Sequence, residues 1–321
     1  MFKKTLFSFP VAFLALYAFA FAGPYTGKKI LYINSYHEGY EWSDGIFAGI
    51  QGVLNSADVH LKTVQMDTKR NTSEAFKSEA GLAAKRTIEA FKPDVVITSD
   101  DNAFKHVILP YYRDAALPVV FCGLNWDASI YGAPYKNTTG MIEVALIPQL
   151  LDHLRQYARG DRIGYLEVDV LTARKEAEYM KRLFQLDLQE QYVKTFDEWK
   201  KAFVEMQKDL DILIVGNNAG INDWDDKEAR RFAEENTKTP TGGIYTWMMP
   251  YVLIGVTKVE KEQGAWAAQA ALNILDGTPP SGIPVVANKD GNLMLNLPIA
   301  DRLGVVFSLS MIRNATIVDK E

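Results

Sequence analysis

Only one cysteine, Cys122, occurs in the 321 residues, so no disulfide can form within the chain. Histidine is nearly as scarce. Of the four, His37, His60, His106 and His153, none stands at the spacing of a metal-binding pair. There is no block of lysine and arginine, and the formal net charge is −5, which argues against nucleic acid or an anionic membrane surface as partner. The short signatures of phosphate, zinc and serine chemistry are missing as well: no Gly-x4-Gly-Lys-Ser/Thr, no His-Glu-x2-His, no Cys-x2-Cys and no Gly-x-Ser-x-Gly. No cofactor and no metal are therefore expected. Ser35, His37 and Asp44 form a conceivable nucleophilic set, but they share one loop with no orienting pattern around them, and an enzyme is not expected.

Long apolar runs are absent beyond the N-terminus. There, Lys3 and Lys4 precede the run Val11 to Phe21, which ends in Ala20-Phe21-Ala22 before Gly23. Charge, apolar stretch and small-residue site in that order make a secretory signal, and the run falls short of the roughly 20 residues of a membrane span, although Leu6 to Phe9 extend it and make an uncleaved anchor the alternative. Cleavage after Ala22 is expected. No cysteine lies near that site to carry a lipid, so the mature protein should be free in an exported compartment.

What remains is 48% hydrophobic and 23% charged, ordinary for a globular chain and long enough for two domains of about 150 residues. Lys29 to Ile33 reads as a buried strand, and positions 46, 47, 50, 53 and 54 are apolar at helical spacing. Between them lies a loop holding Tyr36, His37, Tyr40 and Trp42, where Asn, Gly and Ser would be ordinary. The alternation then repeats. Val59 to Met66 is a strand; Ser73 caps a helix stopped by Pro93; Asp94 to Thr98 is a strand buried on both faces; Pro118 to Phe121 is another. Thr138 to Glu143 reads as a crossing into a second set: helix Pro148 to Tyr157, strand Arg162 to Glu167, helix Thr172 to Leu188, strand Asp211 to Val215, and a strand from Gly243 to Trp247. Val252 to Lys258 reads as a second crossing, followed by a helix from Glu260 to Asp276 and closing strands at Pro284 to Ala287 and Leu293 to Leu297. Strands alternating with helices imply an α/β protein with two Rossmann-like lobes, parallel sheets and a multi-strand hinge. In lobe terms, residues 23–143 plus 254–290 form the first and 144–253 plus 291–321 the second.

The ending Ile274-Leu-Asp-Gly-Thr-Pro-Pro-Ser-Gly-Ile-Pro284, followed by Leu295-Asn296, Ala300, Leu303-Gly304 and Ala315, resembles the close of the ABC-transporter substrate-binding family, whose fold is that of type I periplasmic binding proteins. Pro118-Val-Val-Phe121 and Asn137-Thr-Thr-Gly140 fit the same family. Some of its members take up aromatic amino acids. The stretch Ser35-Tyr-His-Glu-Gly-Tyr-Glu-Trp-Ser43 resembles a branch serving as extracellular sensors of membrane-bound kinases. The amino-acid-binding relatives do not show this aromatic and acidic first loop, so their ligand is not carried over. The resemblance implies a periplasmic, monomeric protein with a small-molecule ligand and an ABC permease as partner. The alternative is a sensing module that acts with a membrane receptor kinase.

Candidate ligand contacts sit at the strand ends. Tyr36, Tyr40 and Trp42 offer aromatic faces that bind rings by area and cations through their quadrupole, and His37 offers a hydrogen bond. Asp67, Asp100, Asp101, Glu143 and Asp169 fall at strand ends or at a crossing, where carboxylates suit an amine or the hydroxyls of a polyol; each also reads as a helix cap. Asn125, Trp126, Asn217 and Asn218 add paired amides and a ring, with turn chemistry as the alternative for the asparagines. Trp247, just before the second crossing, completes the set.

Overall fold

The computed structural model describes residues 23–318, so the leader expected at residues 1–22 lies outside the described residues. The first lobe opens with β1 (Lys29–Asn34), α1 (Glu41–Leu54), β2 (His60–Gln65), α2 (Glu74–Phe91) and β3 (Val95–Ser99). Signals in the chain set these limits. The Ser73 hydroxyl accepts from the Phe76 N–H at 3.3 Å to cap α2, which stops at Lys92, φ +52, just before Pro93. α3 (Asp100–Ala103) follows β3 with no loop and runs through a π-helical turn, Phe104–Ile108, into α4 (Leu109–Tyr111). β4 (Val119–Asn125) and β5 (Thr138–Glu143) finish this part of the lobe.

The second lobe holds α5 (Ile147–Leu154), β6 (Ile163–Val168), α6 (Leu171–Phe184), β7 (Leu188–Val193), α7 (Phe196–Met206), β8 (Ile212–Val215), α8 (Asp226–Asn236), β9 (Thr241–Gly243) and β10 (Ile254–Lys258). The chain then returns to the first lobe for α9 (Glu260–Leu275) and β11 (Val286–Ala287). It crosses a third time into β12 (Gly291–Asn296), α10 (Leu297–Leu303), α11 (Leu309–Asn314) and β13 (Ala315–Val318).

Three details differ from the sequence reading. Ile254–Lys258, expected to open the return to the first lobe, pairs with β9 and β12 in the second sheet, so the crossing comes one residue after Lys258. α6 ends at Phe184 because Gln185 turns left-handed, φ +56, and β7 begins at Leu188. The strand expected over Gly243 to Trp247 ends at Gly243, and a 3-10 turn, Thr246–Tyr251, takes up the rest.

The first sheet has the order β11-β5-β4-β3-β1-β2, all parallel. Ile30 and Tyr32 face α1 and α9 while Leu31 and Ile33 face the opposite layer, so both faces are covered and the strand reads as an unbroken apolar run. α9 lies so close on α1 that a Cβ at Gly264 would overlap the carbonyl oxygen of Ile46, and one at Gly49 the carbonyl oxygen of Lys261. The second sheet has the order β13-β12-β10-β9-β8-β6-β7, with β12 antiparallel to β10. In each sheet the order reverses once within the parallel set, between β1 and β3 in the first lobe and between β6 and β8 in the second. Such reversal points open a crevice at the carboxyl ends of the strands.

The three crossings are braced to one another. Asn288, in the third, accepts from the Val144 N–H of the first at 2.7 Å. Glu262, at the start of α9, accepts from the backbone N–H groups of Lys289 and Asp290, each at 2.9 Å. Lys258 ends β10 in an ion pair with Glu143, the last residue of β5.

Candidate functional site

Tyr36 and Asp100 leave β1 and β3, the two strands that flank the reversal in the first sheet. The loop after β1 is fixed from below: the Ser35 hydroxyl donates to the Ser99 carbonyl at 2.6 Å and accepts from the Ala103 N–H at 2.7 Å, while Asn34 Oδ1 accepts from the Tyr36 N–H at 3.0 Å. Tyr36 and Tyr40 meet edge to face at 5.3 Å, and Lys69 Nζ lies 5.2 Å and 4.8 Å from their ring centroids. Trp42 is not in the loop but in the first turn of α1, where its indole N–H donates to Asp100 Oδ1 at 3.0 Å.

Asp100 is 2% exposed and sits at φ +65, a conformation that costs a non-glycine residue of order 1 kcal/mol or more unless its surroundings hold it there. It does not cap α3 with its side chain. Burial, and then the charge of Glu143, push its carboxyl well above the usual range, and Oδ2 has no hydrogen-bond partner. Asp101 beside it accepts from Asn125 Nδ2 at 2.6 Å and the Tyr131 hydroxyl at 2.8 Å. Burial first, and then Asp100, raises the Tyr36 hydroxyl.

The second lobe answers with Glu167, at the end of β6, and with Asn217, just past β8. Glu167 is 3% exposed, is pushed up to about 9 by burial and by Glu176, and leaves Oε2 without a partner. Gly216 makes room for it, since a Cβ there would stand 2.5 Å from Oε2. Glu176, on α6, accepts from the Tyr245 hydroxyl at 2.7 Å and 2.9 Å and from Tyr165 at 3.3 Å; burial raises it above the ordinary value. Trp247 stacks on Tyr245, centroids 4.7 Å apart, and its indole N–H donates to Asn217 Oδ1 at 3.3 Å.

Lys258 joins the halves. Its ammonium pairs with Glu143 and stands 5.4 Å from the centroid of Trp42. The result is a band of Asp100, Asp101, Glu143, Glu167 and Glu176, with Lys258 in its middle and Tyr36, Trp42, Tyr245 and Trp247 around it. At the rim, Trp126, φ +60, stacks on Tyr179 of α6, and Asp127 binds Arg182 at 2.7 Å.

Of the residues singled out in the sequence, Tyr36, Trp42, Asp100, Asp101, Asn125, Glu143, Asn217 and Trp247 fall in this band, with Trp126 at its rim and Tyr40 edge to face with Tyr36. The other four lie outside it, three of them with side-chain partners close at hand. Asp67 is held below the usual range by Arg70, 2.7 Å away. His37 Nδ1 meets the Glu38 carbonyl at 2.9 Å. Asp169 binds Arg174 at 2.6 Å and Lys194 at 3.6 Å. Asn218 serves the turn after β8 through its backbone carbonyl, which accepts from the Ile221 N–H at 3.0 Å. Glu167, Glu176, Tyr245 and Lys258 were not singled out. For Glu167 and Lys258 a signal was present, since each is a charge at the end of an otherwise apolar strand.

Among solved structures, the chain is similar to the ligand-free, open form of a substrate-binding protein with adhesive properties from Clostridium difficile, at 15% identity and a TM-score of 0.69 over 92% of this chain and 100% of that one. A Streptococcus pneumonia ABC domain in complex with L-Trp aligns at 18% identity and a TM-score of 0.54, covering 91% and 99% of the two chains. A periplasmic ribose ABC transporter protein from Conexibacter woesei aligns at 13% and 0.56, covering 92% and 99%. No curated protein matches the chain. The fold is that of the type I periplasmic binding proteins, two mostly parallel α/β lobes. No helix among the described residues is long and apolar enough to cross a membrane. The family described as ABC transporter substrate binding protein matches over residues 41–318, and the chain belongs to that family.

Proposed function

We propose that this protein captures a small polar or aromatic solute, an amino acid, an amine or a related compound, in the cleft between its lobes and delivers it to an ABC permease. The observation that carries this is the pairing of the two strand-order reversals, which supply Tyr36, Trp42 and Asp100 from one side and Glu167 and Asn217 from the other, with Tyr245 and Trp247 added by the turn after β9. A solute held by both sets favours the closed arrangement, because contacts made only when the lobes approach shift the open–closed equilibrium. The closed form is what the permease would recognise. The protein works as a monomer in the periplasm, after removal of residues 1–22.

Native mass spectrometry of the freshly purified protein tests the reading, followed by a thermal-shift screen of amino acids, amines, nucleosides and sugars. A retained small molecule, or a hit whose stabilisation grows with concentration as mass action requires, supports it. A protein that holds nothing and responds to nothing overturns it, and moves the receptor-kinase sensing role ahead if a kinase ectodomain then binds the protein directly. The intact mass reports at the same time whether the chain starts at Gly23.

A further inference from the structure

The band across the cleft is unbalanced in charge, and its two most deeply buried carboxylates each have an oxygen that nothing satisfies. Asp100 Oδ2 belongs to the first lobe and Glu167 Oε2 to the second, with their residues 2% and 3% exposed. Each follows a strand that flanks the reversal of order in its sheet, Asp100 after β3 and Glu167 at the end of β6, where an open α/β sheet presents groups to a ligand. An unpartnered carboxylate oxygen in such a place is costly in the empty protein and calls for a donor. From this we infer that the ligand is an aliphatic diamine or polyamine, which offers one ammonium group to Asp100 and another to Glu167 while its methylene chain lies along Trp42, Tyr36, Tyr245 and Trp247.

This inference rests on the solute-binding reading above and narrows its ligand class. Four features favour it over a zwitterion, a neutral sugar or a metal. Of the two cations at the band, Lys258 already pairs with Glu143 and Lys69 lies over the Tyr36 and Tyr40 rings, so an amino-acid carboxylate would face the acids Asp100, Asp101, Glu143, Glu167 and Glu176 with the Lys69 ammonium alone to offset them. The first-lobe helices that begin at the cleft carry acids in their first turns, Glu41 and Asp44 on α1 and Asp100 and Asp101 on α3, so their N-termini are not free for a second anion. Among the described residues no three His, Cys, Asp or Glu side chains converge closely enough to hold a metal ion, so the negative charge is spread along the band and fits an extended cation better than a point one. The aromatic faces, with Tyr245 and Trp247 stacked at 4.7 Å, suit both ammonium groups and the chain between them.

Burial, and then the charges of Glu143 beside Asp100 and of Glu176 beside Glu167, favour the protonated forms in the empty protein, so an arriving ammonium group displaces protons. That gives the test a second readout. The full-length mature protein, dialysed out of denaturant to remove any carried-over solute, is titrated calorimetrically with 1,4-diaminobutane, spermidine, n-butylamine, L-tryptophan and myo-inositol, in phosphate and in Tris at one pH. The expected result is a diamine or spermidine affinity at least tenfold above that of n-butylamine, with a binding enthalpy that differs between buffers because protons are released. Asp100→Asn and Glu167→Gln should each weaken the diamine about tenfold or more and reduce the proton release. Asparagine is tolerated at positive φ, which keeps the first variant folded, and thermal melts of both variants check that directly. Tight binding of L-tryptophan or myo-inositol with none of the amines overturns the amine class and leaves the solute-binding reading standing. Diamine binding unchanged in both variants overturns the assignment of its ammonium groups. Silence from every probe, with no small molecule released from the freshly purified protein, overturns both readings.

Discussion

Trp126 of the first lobe lies flat on Tyr179 of the second, ring centroids 5.5 Å apart and planes within 3°. The Arg182 guanidinium covers the other reach of Tyr179 at 4.8 Å and holds Asp127 at 2.7 Å, so ring and charge contacts bridge the lobes at one rim of the cleft. A stacked pair of this kind contributes on the order of 1 kcal/mol. Tyr179→Ala should therefore shift the protein toward its open form and weaken solute binding about fivefold. Small-angle scattering of the ligand-free variant should show a larger radius of gyration than the parent. Equal radii and equal affinities would sink the idea that this stack acts as a latch.

Glu167 gives a pH dependence with a defined sign. Its folded value is about 9 against an ordinary 4.5, so between those limits the folded protein holds a proton that the unfolded chain has released. Stability should be highest below pH 4.5 as far as this group is concerned, and fall as pH rises toward 9, by up to about 1.4 kcal/mol per pH unit. Glu167→Gln removes that contribution, and the ligand-free variant should be the more stable of the two above pH 7. Urea midpoints measured from pH 5 to 9 decide the matter: the two curves should diverge with rising pH, and parallel curves refute the account.

The braces among the crossings are predicted to matter for stability without touching the solute. Asn288→Ala leaves the buried Val144 N–H without its acceptor, a loss of about 1–3 kcal/mol, whereas Asn288→Asp keeps an oxygen there. Differential scanning calorimetry should show the alanine variant melting a few degrees lower and the aspartate variant closer to the parent. Equal losses in the two would mean that the Val144 bond is not the reason for the loss.

Gly264→Ala should be among the most damaging single-methyl changes in the chain. The added Cβ meets the Ile46 carbonyl on a neighbouring helix rather than a side chain that can turn away. A loss of about 3 kcal/mol or more is expected. Gly52→Ala in the same α1 helix, where nothing lies within 4 Å of the new carbon, is the control and should be neutral or slightly stabilising. Comparable melting temperatures for the two variants would contradict the packing described for α1 and α9.

Much of this architecture is written in short windows of sequence. Ser73 and Pro93 bound α2, the Val-Val-Ile run of β3 marks a strand covered on both faces, and Tyr36, Trp42 and Asp100 stand out because polar and aromatic groups follow apolar strands. The parts that escaped are those fixed by distant partners. Glu176 sits within α6 among other charges, and only the approach of Tyr245 distinguishes it from a solvated helix residue. Ile254–Lys258 belongs to the second sheet because β12, further along the chain, pairs with it. The end of α6 was overrun because Leu183, Leu186 and Leu188 continue an apolar pattern past the left-handed Gln185. Asp67 and Asp169 occupy the right ends of strands, yet arginines close at hand, Arg70 and Arg174, claim them.

The seating of α9 on α1 has a bearing on the order in which the molecule is made. During synthesis α1 emerges early, but the helix that covers its glycine face is encoded after the whole run from α5 to β10. The second lobe can pair five of its seven strands first, while the first waits with one side of its sheet covered by α1 alone until residue 275 has emerged. Pairings so far apart in the chain make for slow folding. A nascent chain stalled before α9 should be open to protease in α1 and already resistant across β6 to β8, the reverse of a simple N-to-C order of assembly.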